Sequence, residues 1–164
     1  MENGRNEKIA GMVLGINDGL IELTGVLVGL SFALPDPKIV ALTGLITGVA
    51  ASLSMAASAY MHARQEQGID ARTTAVYTGL SYLFVVILLV SPFFIFSQVA
   101  KSVVLMMFVA LVIIFAVSGY SARFHGRSFR REFGLMLVFS LGVAAVTFVF
   151  GQILKRLLGI EIEV

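Results

Sequence analysis

Asp18 and Glu22 stand four residues apart inside a long apolar run, Ile9 to Leu34. Residues at i and i+4 share a helix face, so the two carboxyl groups act on the same neighbourhood. At about 1.5 Å rise per residue, Asp18 lies roughly 14 Å into that run and Glu22 about 6 Å deeper. Both therefore fall near the middle of a hydrocarbon layer about 30 Å thick. A carboxylate at that depth costs about 2.5–3.5 kcal/mol on insertion scales and marks a functional site by default. The simplest use of the pair is an oxygen-rich site for a cation, with protons as the alternative occupant. Two carboxylates in a low dielectric repel each other, so arrival of a metal ion is linked to departure of a proton. Asn17 beside them offers an amide oxygen, which suits hard cations and is tolerated by softer transition metals.

A second group lies on the next apolar run, in Ser52-Leu-Ser-Met-Ala-Ala-Ser-Ala-Tyr60. Met55, Ala59, His62 and Glu66 fall on one stripe by their spacing. A thioether facing carboxylates favours Fe²⁺ or Mn²⁺ over Ca²⁺ or Mg²⁺, although a lone methionine in an apolar helix is usually filler. Ser52 adds a hydroxyl oxygen. His62 and Glu66 read either as a weak access site or as a solvated helix end.

The elements that must position these groups follow from composition. The chain has 164 residues, 58% hydrophobic and 13% charged, against about 25% charged in a soluble domain. It reads as an all-α integral membrane protein forming one transmembrane domain over 1–164. Five spans are expected, at about 9–34, 39–63, 73–96, 102–120 and 133–154. Each is of crossing length, and their continuous apolar character argues against a β-barrel, whose strands alternate. Pro35-Asp-Pro37 turns the chain after the first span, and Gly68 is the expected stop of the second helix. The first run is too long for a signal peptide.

Of the 12 Lys and Arg residues, Arg5, Lys8, Arg64, Arg72, Arg123, Arg127, Arg130 and Arg131 fall at one end of the spans. Lys38, Lys101, Lys155 and Arg156 fall at the other. The bias puts the N-terminus in the cytoplasm and the C-terminus outside. Gly11, Gly15 and Gly19, with Gly25/Gly29 and Gly44/Gly48, repeat a small-residue spacing that lets helices approach closely in lipid. It predicts that the first two spans pack tightly, on each other or on a second copy. With no cysteine, disulfides, thiol catalysis and Cys-based zinc sites are excluded. His125 sits in a basic loop without an adjacent acid. No catalytic or nucleotide-binding motif stands in a suitable context, so neither an enzyme nor a nucleic-acid partner is expected.

Gly15-Ile-Asn-Asp-Gly-Leu20, followed by Gly25 and Gly29, resembles the first-helix motif of the vacuolar iron transporter family. Leu53-Ser-Met-Ala-Ala-Ser-Ala-Tyr60 resembles its second-helix motif, and Thr147-Phe-Val-Phe-Gly151 is similar to its last helix. The resemblance implies a homodimer of five-helix subunits, with Fe²⁺ or Mn²⁺ leaving the cytoplasm between the two first helices in exchange for protons. It implies a path aspartate at Asp18 and a path methionine at Met55, with no resident cofactor. The chain departs from the pattern at Ala59, where the family has glutamate, and at Phe148, where it has tyrosine. The cytoplasmic metal-binding insert is reduced to about Gln65–Arg72. The spans also resemble the membrane part of prokaryotic members fused to a ferritin-like domain. The resulting expectation is a metal/proton antiporter of a prokaryotic plasma membrane, in contact with lipid. The alternatives are a non-transporting assembly subunit, in which the acids only hold helices together, and a passive cation channel.

Overall fold

The computed structural model describes residues 2–66, 68–126 and 128–157. The elements are α1 (Glu2–Ala33), α2 (Pro37–Ala63), α3 (Ala71–Val90), α4 (Pro92–Ile95), α5 (Val99–His125) and α6 (Phe129–Leu157), with no strand among the described residues. Five stretches are long and apolar enough to cross a membrane: Glu7–Ala33, Pro37–Ala63, Ala71–Ile95, Val99–Arg123 and Phe129–Leu157. These are the five expected spans with ends shifted by a few residues. Arg127 of the basic loop, Gln67 of the shortened insert and the tail from 158 to 164 lie outside the described residues, as do the side chains of Arg5 and His125.

Local chemistry sets the helix ends. Asp36 caps α2, its carboxylate accepting the Lys38 N–H at 2.7 Å, and Pro37 takes the first position, where no backbone donor is needed. Asp70 caps α3, accepting from the Arg72 and Thr73 N–H groups and, at 2.6 Å, from the Thr73 hydroxyl. Those bonds hold the Asp70 carboxyl below its ordinary value of 3.8. The second helix ends at Ala63, before the expected stop. Gly68, at φ 85°, serves the turn that follows rather than the helix cap. Within the third span, Pro92 has no N–H to continue the ladder. The chain therefore breaks at Ser91, whose hydroxyl bonds to Leu88 O at 2.8 Å, and α4 resumes for one turn.

The first helix is the centre of the bundle. It packs along α3 on one side and α6 on another, with α2 and α5 completing the ring. Leu20, Leu23 and Leu27 of α1 are fully buried among Tyr82, Val86 and Leu89 of α3 and Met106 of α5. The outer faces carry Leu42, Ile46, Leu53, Val104, Phe108, Phe115, Val138 and Val146, all exposed. Such an apolar exterior is stable only against lipid or another apolar surface.

The glycine spacing works differently from expectation. A Cβ on Gly11 would meet the Thr74 carbonyl oxygen at 2.7 Å, and one on Gly15 would collide with the Thr78 carbonyl and the Ser81 hydroxyl. Gly19 faces Val85 and Tyr82. Those three glycines therefore seat α3. Gly25 and Gly29 seat α6 instead, against Val143 and Thr147, while Gly48 of α2 seats Val86 of α3. Only Gly44 joins the first two helices, by admitting Leu27. The small-residue faces of the first span are thus filled inside one subunit, by the third and fifth spans. Thr147 fastens the second of these contacts, its hydroxyl donating to Gly25 O at 2.7 Å.

Candidate metal site and its access cleft

Asp18 and Glu22 project from the middle of α1 and are both partly exposed. Among the described residues, no cation pairs with either. Glu22 has one firm partner: the hydroxyl of Tyr82, on α3, donates to its Oε2 at 2.7 Å. Tyr82 is fully buried. The parallel run of α1 and α3, held close by Gly15 and Gly19, brings that hydroxyl to the level of the carboxyl pair. Sequence reasoning passed over Tyr82, yet a signal was present. Tyrosines of membrane helices gather at the interfaces, whereas Tyr82 lies about 16 Å from the start of its span by helical rise. A phenol at that depth needs a polar partner.

The neutral candidates divide. Asn17 precedes Asp18 and so points to a different flank; its Oδ1 is buried with no hydrogen-bond partner among the described residues. Ser52 is buried and donates to Val49 O at 2.8 Å, which leaves its oxygen lone pairs free to accept. Met55 is half-buried and packs against the central core. Among the described residues no three His, Cys, Asp or Glu side chains gather closely enough to hold a metal ion.

A cleft of about 500 Å³ opens between α1, α2 and the loop before α3, at the end of the bundle that carries the N-terminus. Glu7, Ala10 and Leu14 line one wall, Ala59, His62 and Ala63 the other, and Glu66, Gly68, Ile69 and Thr74 the remainder. His62 Nδ1 stands 3.7 Å from Glu66 Oε1, with both side chains largely exposed at the mouth. Helical register extends both walls inward. One turn beyond Leu14 on α1 comes Asp18, and one turn beyond Ala59 on α2 comes Met55. Of the sequence stripe, Ala59, His62 and Glu66 line the cleft, whereas Met55 packs against the core one turn further along α2. Glu7, not singled out from sequence, adds a third ligating side chain to the cleft mouth.

The departures from the resembled pattern have structural places. Ala59 lies in the cleft wall, nearly buried. Phe148 packs edge-on against Phe32 of α1, ring centroids 4.5 Å apart.

The VIT family model matches residues 9–71, which contain most of α1, all of α2 and the loop beyond. Over these residues the chain is similar to the VIT family. The match covers both helices that carry the carboxyl pair and Met55, and it agrees with the motif resemblance in the same two spans. Among curated proteins, none matches the chain. The VIT family suggests membrane transport of metal ions, which fits a bundle of five membrane-length helices with acids at mid-depth.

Proposed function

We propose that the protein exports Fe²⁺ or Mn²⁺ from the cytoplasm in exchange for protons. The observation that carries this reading is the cleft walled by Leu14 and Ala59, each one helical turn along its own helix from Asp18 and Met55. On this reading a divalent ion recruited by Glu7, His62 and Glu66 at the mouth moves on to the carboxyl groups of Asp18 and Glu22 and the thioether of Met55. That donor set suits a transition metal better than Ca²⁺ or Mg²⁺. Asp18 makes no hydrogen bond among the described residues, so it is free to bind the ion or to carry a proton in its place. Asn17, on another flank of α1, and Ser52 are proposed as neutral oxygens elsewhere along the path.

Among the described residues no three His, Cys, Asp or Glu side chains of one subunit gather into a metal site, and a homodimer is proposed to complete it. A second copy facing the cleft side of α1 brings another Asp18, Glu22 and Met55 to the same axis. The glycine faces are not available for this, since α3 and α6 occupy them. The N-terminal end, with Lys8, Arg64, Arg72, Arg123, Arg130 and Arg131 among its residues, is the cytoplasmic one by the positive-inside rule, and the plasma membrane of a prokaryote is the proposed location.

Flux of Fe²⁺ and Mn²⁺ into proteoliposomes, with and without an imposed proton gradient, tests the proposal. Gradient-driven flux that Asp18→Asn abolishes is the expected result. Downhill metal flux that ignores the gradient replaces exchange by a passive channel. No flux from a folded parent protein removes transport altogether and leaves the assembly-subunit reading.

A further inference from the structure

We infer that Tyr82 is a specificity-determining positioning residue: its hydroxyl bonds to one oxygen of Glu22, biases this carboxylate toward one-oxygen coordination, and thereby disfavours Ca²⁺. The inference rests on the transport reading above and adds to it a residue from the third span. The geometry is specific. Tyr82 is 0% exposed, so its ring cannot swing away without opening the core. Its slot is defined by Gly19, where an added Cβ would stand 3.5 Å from the ring carbon Cγ. From this fixed ring the hydroxyl donates to Glu22 Oε2 at 2.7 Å.

Accepting such a bond takes up one of the two lone-pair sites of Oε2 and weakens it as a metal donor, while Oε1 keeps both. The consequence differs between ions. Ca²⁺ takes six to eight oxygens and often uses carboxylates through both oxygens at once. A smaller ion such as Mn²⁺ takes an octahedral site, in which one oxygen of a carboxylate can fill one position. Weakening Oε2 therefore penalises an ion that grips both oxygens, as Ca²⁺ often does, more than one bound through Oε1 alone. Tyr82 does not touch the ion; it acts through Glu22.

The test is competition by Ca²⁺ against Mn²⁺ flux in proteoliposomes, for the parent, Tyr82→Phe and Glu22→Asp. Tyr82→Phe removes one oxygen and keeps the ring in its slot. Glu22→Asp draws the carboxylate back from the hydroxyl while leaving α3 unchanged, so the two variants release the carboxylate from the bond by different routes. Each is expected to strengthen inhibition by Ca²⁺ about tenfold, the worth of one charge-assisted contact. A merely structural role for Tyr82 would lower Mn²⁺ flux and leave the Mn²⁺/Ca²⁺ ratio alone. An unchanged ratio in a folded, transporting variant overturns the inference and leaves the transport reading intact. A parent that carries no metal overturns both.

Discussion

Gly15→Ala and Gly11→Ala probe the contact on which the geometry of the carboxyl pair depends. At Gly11 the new Cβ would stand 2.7 Å from the Thr74 carbonyl oxygen, about 0.6 Å inside an ordinary carbon–oxygen contact of about 3.3 Å. At Gly15 the intrusion is deeper, and one of the atoms met is again a backbone carbonyl, that of Thr78. A backbone atom cannot rotate aside as a side chain can, so α1 and α3 must separate. Overpacking of this kind costs about 1–3 kcal/mol, with Gly15→Ala at the upper end. For a chain of this length each kcal/mol lowers the melting temperature by about 2–4 °C, which gives falls of roughly 2–12 °C. The assay is recovery of monodisperse protein on size-exclusion chromatography after heating in detergent. Gly142→Ala on α6 is the control, because a Cβ there meets nothing within 4 Å. It should be neutral or stabilising by up to about 1 kcal/mol through helix propensity. If Gly11→Ala and Gly15→Ala behave like Gly142→Ala, α3 does not rest on the glycine face of α1 and the argument for Tyr82 loses its support.

Two further outcomes are expected besides those attached to the transport and selectivity proposals. Because the chain has no cysteine, Leu14→Cys should react with a water-soluble maleimide through the cleft, whereas Ala110→Cys, 3% exposed in the core, should not; equal labelling would show that the cleft does not admit water. The Asp70 cap should weaken in acid. Its folded-state pKa lies below the ordinary value of 3.8, so its contribution is complete above that value and disappears as pH falls through the lower one. The melting-temperature gap between the parent and Asp70→Ala should therefore close below about pH 4, an ordinary aspartate's titration range, and a gap independent of pH would assign it to another group.

The number, order and approximate limits of the spans were legible because continuous apolar runs of crossing length have few other stable uses. Asp18 and Glu22 were equally plain, since ionised groups at mid-depth are costly and therefore conspicuous. The glycine pattern was legible as close packing but not as to its partners. GxxxG records that a neighbour comes near, and nothing in that spacing distinguishes α3 from α2 or from a second copy. The depth of Tyr82 marked it as needing a polar partner, but that the partner is Glu22 required knowledge of which helices run side by side, a long-range fact absent from any window of sequence. Gly68 misled for a related reason. A glycine after a helical pattern reads as a cap, but α2 had already ended at Ala63 and the positive φ was used by the turn.

The hydroxyl of Thr147 reaching the carbonyl of Gly25 joins residues 122 positions apart. In a chain made from its N-terminus, α1 is thus released well before α6, which completes its surroundings. Until α6 arrives, α1 has an open groove at Gly25 and Gly29 and two acids at mid-depth, with only α2, α3 and α5 to shield them. Assembly of this bundle is accordingly a closing around α1, and its vulnerable interval is the time between release of α1 and release of α6.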